Sequence, residues 1–348
     1  MAYTTIDKSS LHFTTKFYTG TGSSNALTGV GFQPDFTWIK VRSEANNHEL
    51  YDAVRGATKR IYSDQGNEED TNSYGLTSFD SDGFTVSTGN AVNKNTATFL
   101  SWNWKMGGSG SANTDGSINS TVSVNSTAKM SIVKWTGTGS NATIGHGLGV
   151  APTVILCKRL NGGTQSWLVY TKDLFGVGNT SYISLNTTDG RSQSAGVFNS
   201  TAPTSTVFST GTGFLANDYI AYCFTDLTGF FKSGLYEGNA QTNGPFVYTG
   251  HKPAFIIMKE YTNNGQGWNM KTTDSNTFVG NPSYYFIKAD TTDQENQSST
   301  SFGIDILSNG FKLRNTDGIA NGNGRGFLYM SWAKAPLVGS NNIPATAR

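Results

Sequence analysis

Short apolar runs rich in β-branched and aromatic residues recur along this chain, separated by clusters of Gly, Asn, Ser and Thr. No apolar stripe at helical spacing runs long enough to make a substantial helix, so the pattern predicts many strands joined by turns. Three of the runs are continuous rather than alternating: Phe36-Thr37-Trp38-Ile39-Lys40, Val154-Ile155-Leu156-Cys157-Lys158 and Phe255-Ile256-Ile257-Met258-Lys259. Continuous apolarity predicts a central strand covered on both faces. Each run follows a proline (Pro34, Pro152, Pro253), which suits a strand's first residue, where no ladder donor is needed.

The three runs belong to a larger repeat. An aromatic-x-Gly word precedes each proline: Tyr18-Thr19-Gly20, Trp135-Thr136-Gly137 and Tyr236-Glu237-Gly238. Downstream, Asp82-Gly83-Phe84 has counterparts in Thr212-Gly213-Phe214 and Asn309-Gly310-Phe311, and the Asp-Gly and Asn-Gly pairs predict two-residue hairpins. The copies close on Phe99–Trp102, Tyr219–Tyr222 and Tyr329–Trp332. The prolines recur every ~100–120 residues, a whole-domain period rather than the ~20–50 of a solenoid. The predicted fold is all-β: three tandem antiparallel β-sandwich domains of jelly-roll or lectin-like type. Their boundaries are 1–105 with an N-terminal arm, 129–231 and 232–336, with a C-terminal tail at 337–348. Residues 106–128, a Gly/Ser/Asn/Thr stretch, are expected to be a flexible linker that leaves unit one free in orientation. Phe230, Phe231 and Leu235 are expected to lock units two and three into a rigid pair. Short helical turns are expected only near Ala53 to Lys59 or Thr171 to Leu174.

Charged residues are 14 % with a net charge of +1, which leaves no basic field for nucleic acid. No run approaches the ~20 apolar residues of a membrane-spanning helix, and the N-terminus has no secretory signal pattern. Cys157 and Cys223 sit in apolar strands of unit two at the places of Ile39 and Met258, and of Asn103 and Ala333. They read as buried thiols, although spacing does not decide whether they pair.

Candidate chemistry is sparse. Glycan hydrolysis needs two facing carboxylates, and unit one offers Glu44, Glu49, Asp52, Glu68, Glu69, Asp70, Asp80 and Asp82. Glu68-Glu69-Asp70 reads as a solvated run and Asp82 as a turn residue. Asp80-x-Asp82-Gly83 lacks the further ligands of a calcium loop. His12, His48, His146 and His251 have no metal-ligand spacing. Gly322-Asn323-Gly324-Arg325-Gly326 precedes a strand, whereas a phosphate cradle opens a helix. Trp167 and Trp268, with Leu50 at about the same place in unit one, read as core, while Trp104 at its strand's end is expected to be partly exposed. The expectation is no catalytic set, no metal, no cofactor and an unknown ligand site.

Gly31-Phe32-Gln33-Pro34-Asp35-Phe36-Thr37-Trp38-Ile39-Lys40, Tyr51-Asp52-Ala53-Val54-Arg55-Gly56, Gly75-Leu76-Thr77-Ser78-Phe79-Asp80-Ser81-Asp82-Gly83-Phe84 and Gly244-Pro245-Phe246-Val247-Tyr248-Thr249-Gly250 resemble a family of uncharacterised repeat domains in structural proteins of tailed, especially marine, bacteriophages. The resemblance covers essentially the whole chain. It implies a virion protein with lectin-like β-sandwich domains, often labelled a tail fibre, and it carries no binding residues over; the sparse candidate chemistry adds the expectation that the protein is non-enzymatic. Unit two lacks the Tyr-Asp-x-Val-Arg-Gly and Asp-x-Asp-Gly-Phe words. On this reading the chain is made in a bacterial cytoplasm and resides in the virion, as a tail appendage or capsid decoration. Its partners are other virion proteins and further copies of itself, without nucleic acid or membrane insertion. The alternatives are a glycan-binding adhesin that attaches to the host and, behind it, a polysaccharide depolymerase.

Overall fold

The computed structural model describes residues 4–176, 180–273, 280–296 and 302–338. Strands take 43 % of the chain and helix 6 %, so the protein is all-β with multiple sheets. The described α-helices are single turns, Asn90–Asn93, Lys172–Phe175, Ala195–Phe198 and Gly318–Asn321. Lys172–Phe175 falls beside the expected turn at Thr171, whereas the stretch after Ala53 makes turns without a helix.

Each copy builds one large antiparallel sheet with the same strand order. In unit one it runs Phe13–Thr19, Thr98–Trp104, Phe36–Val41, Glu49–Asp52. In unit two Met130–Thr136, Asp218–Phe224, Val154–Arg159 and Leu168–Thr171 repeat that order. In unit three Phe231–Glu237, Gly326–Pro336, His251–Glu260 and Asn269–Thr272 do so again. The run after each proline is central and buried in every copy, as its unbroken apolarity requires, but Pro253 is the third residue of its strand rather than the first and sits where the pairing shifts register. The aromatic-x-Gly words now have causes. Tyr18, Trp135 and Tyr236 stack on their cross-strand partners Phe99, Tyr219 and Phe327 at 5.0, 5.4 and 5.1 Å. A Cβ on Gly20, Gly137 or Gly238 would collide with the carbonyl oxygen of Lys94, Leu215 or Gly322.

One face of each large sheet packs within its own unit. Ile39, Val41 and Phe99 meet Leu27, Leu76 and Phe84 of a three-stranded sheet in unit one, and Ile256 and Met258 meet Ile304, Phe311 and Leu313 in unit three. The opposite face packs against the other two units. Phe36, Trp38, Trp102 and Trp104 of unit one, Met130, Leu156, Tyr222 and Phe224 of unit two, and Phe231, Phe255, Met330 and Trp332 of unit three form one shared core. The strand registers make Trp104, Phe224 and Trp332 equivalent, since each pairs with the first residue of its unit's first strand. Their rings close a triangle with centroid distances of 6.3, 5.2 and 5.5 Å.

The rims interlock in the same cyclic sense. Trp167 Nε1 of unit two donates to the Tyr62 carbonyl of unit one at 2.7 Å, and Trp268 Nε1 of unit three donates to the Ser184 carbonyl of unit two at 2.8 Å. His48 completes the set: Trp38 Nε1 donates to its Nδ1, which leaves Nε2 to donate to the Lys288 carbonyl of unit three at 2.9 Å. Each receiving loop continues along the neighbour, where the amides of Glu69, Arg191 and Glu295 donate to the carbonyls of Leu160, Tyr261 and Arg42 at 3.0, 2.8 and 3.0 Å. The lysines one residue before the end of the central strands hold the same loops. Lys40 Nζ donates to the Thr292 carbonyl at 2.9 Å, Lys158 Nζ to Gly66 at 3.0 Å and Lys259 Nζ to Thr187 at 3.5 Å. Burial pushes all three ammonium groups down to about 8.

Several expectations are corrected. Residues 106–128 are not a free tether, because Ser111–Asn113 and Ser120–Asn125 add two strands to the large sheet of unit two; the β-branched Val122 and Val124 pack against its core despite the polar composition around them. The rim contacts hold unit one to both partners, while Phe230 and Phe231 are buried in the shared core with Leu235 packed against it, as the join between units two and three requires. Trp104 is 1 % exposed because its strand's end lies on the shared axis. The third closing strand aligns from Phe327, two residues earlier than read, so Cys223 corresponds to Ser331 rather than Ala333. The counterpart of Trp167 is His48 rather than Leu50, since Leu168 and Glu49 hold equivalent register positions. Hairpins do form at Asp80↔Gly83 and Leu307↔Gly310, but their loops are Ser81-Asp82 and Ser308-Asn309. A Cβ on Gly83 or Gly310 would strike the neighbouring strand at Leu27 or Val247, which is why glycine stands there. Gly213-Phe214 lies outside the paired strand of unit two, which is Val207–Thr210.

Two outcomes follow from this packing. Residues 107–231, which hold all six strands of the unit-two sheet, expressed alone should show no cooperative urea transition, because Met130, Leu156, Tyr222 and Phe224 would face water; a sharp transition like that of the whole chain would contradict the shared core. The second concerns pH. An unfolded lysine keeps its proton up to about pH 10.4 while the three clasp lysines release theirs near 8. Between those values the unfolded chain binds more protons, so stability rises with pH. The urea midpoint should be higher at pH 9 than at pH 7.5.

Candidate functional site

The carboxylates of unit one are brought into ion pairs and turns, Asp52 and Glu69 converging on Arg55 and Glu49 and Asp70 on Arg60. Asp52, fully buried, accepts from Arg55 Nε at 2.5 Å and from the Tyr222 hydroxyl of unit two at 2.7 Å, while its other oxygen takes the amides of Val54 and Arg55. Arg55 also donates to the Leu50 carbonyl at 3.0 Å and pairs with Glu69 at 3.2 Å. The Tyr-Asp-x-Val-Arg-Gly word is thus a buried hub between units one and two. Glu44 pairs with Lys94, and Asp70 with Arg60. Glu68 accepts the Gly163 amide, and Asp80 accepts from the Ser78 and Thr85 hydroxyls. Asp82 accepts the amides of Gly29 and Gly31 at 2.9 and 2.7 Å, and those bonds hold its carboxyl below the usual range.

The remaining candidates are dispersed. His146 bridges the Leu148 amide and the Thr204 carbonyl, His251 meets the Ser331 hydroxyl, and His12 lies edge-on to Phe230. Among the described residues no group of three or more His, Cys, Asp or Glu could hold a metal ion. Cys157 and Cys223 are free buried thiols; Cys157 pairs with Ala221, which leaves Cys223 diagonal to it on the next strand. Burial pushes the Cys223 thiol up to about 12. Trp167 and Trp268 are core. The loop Gly322–Arg325 joins the Gly318–Asn321 turn to a strand. No described helix is long and apolar enough to cross a membrane.

Two grooves occupy equivalent places in units one and three. In both, the floor is the strand that bridges back to the large sheet, through Ile61 to Leu50 or Ile287 to Met270. One wall is a single helical turn whose asparagine, Asn93 or Asn321, ties it to the aromatic-x-Gly segment. The unit-three groove, about 920 Å³, opens against unit one and is charged, with Arg42 and Glu295 paired at 2.6 Å beside Lys288, Asp293 and Asp317.

The unit-one groove, about 430 Å³, is lined by Asn46, Asn47, Asn72, Asn90, Thr88, Tyr62, Tyr74, Arg60 and Glu49. Glu49 is 1 % exposed and burial raises its carboxyl, although Arg60 pairs with it at 2.6 Å. Arg60 lies over the Tyr62 ring with its guanidinium carbon 5.1 Å from the centroid, a cation–π contact. Tyr74 is 64 % exposed. Neither groove is legible in the sequence; the available signal is Tyr74, a lone aromatic that ends the polar stretch Asp70-Thr71-Asn72-Ser73.

Replacing Arg55 with Leu would leave Asp52 buried without its cation. The expected loss is about 3–5 kcal/mol of unfolding free energy, measured by urea titration, and a loss below about 1 kcal/mol would contradict the hub.

No curated protein matches the chain. A family model described as Domain of unknown function (DUF7483) matches residues 8–336, from just ahead of the first strand to the end of the last, and the chain belongs to that family.

Proposed function

We propose that the chain is a non-enzymatic structural protein of a virus particle's surface, a tail appendage or capsid decoration, built from three tandem β-sandwich units. Pairing of each large sheet with a smaller one, as in Ile39 and Phe99 against Leu27 and Phe84, supports the sandwich reading. The observation that carries the function is the closed set of clasps. Trp167, Trp268 and His48 tie each unit to the next around a common core, giving a rigid body whose outward surface is available for contacts. The sequence resemblance to phage structural proteins supplies the setting. The carboxylates a depolymerase would use are committed to ion pairs and backbone amides.

The test uses a tailed phage that encodes this chain. Purified particles should contain the protein in stoichiometric amount, and antibodies raised against it should label intact particles in electron micrographs. Absence from purified particles would overturn the reading.

A further inference from the structure

We propose that the unit-one groove beside Tyr74 is a binding site for a neutral carbohydrate. The first observation is an exposure that the fold does not require. Leu76 and Ile304 hold equivalent register positions, opposite Val86 and Leu313, so Tyr74 and Phe302, two residues earlier, are counterparts. Phe302 is 1 % exposed and Tyr74 is 64 % exposed. The same position buries its ring in one copy and presents it to solvent at a groove in the other. An exposed aromatic face beside polar groups is the surface on which the apolar face of a sugar ring stacks.

The second observation is the set of hydrogen-bonding groups the groove leaves open. Asn47 and Asn72 use their side-chain carbonyls internally, accepting from Gln65 and from the Tyr74 amide, and their NH₂ groups have no partner among the described residues. The side chains of Thr88, Asn90 and Tyr74 likewise make no hydrogen bond among the described residues, although all line the groove. Amide donors, hydroxyls and a ring within one shallow site match the alternating hydroxyls and C–H face of a pyranose.

Charge selects the neutral class. Arg60 is the one cationic side chain among the described lining residues. Its guanidinium is held by Glu49 at 2.6 Å and by Asp70 at 2.7 and 2.9 Å. A phosphate, sulfate or sialic acid would have to displace a carboxylate to reach it. The groove's ~430 Å³ lies within the range of small-ligand sites. This assignment does not rest on where the protein resides.

The full-length chain, fluorescently labelled, is applied to an array of immobilised neutral and acidic oligosaccharides containing glucose, galactose, mannose and N-acetylglucosamine. The expected result is capture by at least one neutral glycan. Tyr74→Ala should weaken that capture about tenfold or more, as loss of a central aromatic contact does. Tyr74→Phe should preserve it, and Leu215→Ala, at an exposed apolar residue of unit two, should leave it unchanged. Thermal melts should be alike for all variants because Tyr74 is outside the core. No capture, capture by acidic glycans alone, or capture indifferent to Tyr74→Ala would overturn the proposal.

Discussion

Each unit's large sheet has two apolar faces, and its own smaller sheet can cover only one. The other face is closed by the two sister units, and the closure centres on Trp104, Phe224 and Trp332, whose rings meet on the pseudo-threefold axis. Burying a Trp or Phe side chain is worth roughly 1.5–3 kcal/mol or more relative to exposure, and the shared core extends from Ile6 in the N-terminal arm to Ala333 in the last strand. No pair of units could complete it. The order of strands, the position of each proline and the close approach at Gly20, Gly137 and Gly238 all serve to bring three equivalent faces to one place.

The contacts between units are heterologous: a loop of one copy grips the strand ends of the next. Contacts of that kind form open filaments unless the rotation closes. Here it closes after three steps inside one chain, since unit three's loop at Lys288–Glu295 grips unit one. The family match over 8–336 spans the whole ring rather than a single copy, consistent with a unit of folding that needs all three.

Strand identity and the repeat were legible because both leave a hydrophobic period in the sequence. Closure was not, because an apolar face announces that it is covered and not by what. The two-residue offset in the third closing strand was invisible for a related reason: a slip by two keeps every side chain on its original face. Ser120–Asn125 was mistaken for a tether since its Ser and Asn dominate a composition count, although Val122 and Val124 mark a strand. At the clasps the chemistry is carried by ring N–H groups and lysine donors acting on backbone carbonyls, which have no sequence signature. Trp167, Trp268 and His48 share an N–H at the ring's edge, and comparison by hydrophobicity led to Leu50 instead.

The three copies also separate what the fold needs from what it permits. On the axis and at the clasps, residue types change but the interaction survives, as when His48 donates where the sisters use Trp. In the grooves the framework survives and the interaction changes: Lys288 stands where unit one has Tyr62, Ile319 where it has Ala91, and the buried Phe302 where it has the exposed Tyr74. Stability constrains the first set, because a lost partner there strands a buried donor or opens the shared core. It constrains the second less, because Tyr74 and Lys288 there meet solvent and only some of the set, Phe302 among them, is buried. The outer grooves are therefore where one rigid ring can acquire distinct ligand preferences without refolding, and their chemistry is set by a few side chains on loops that the core holds still.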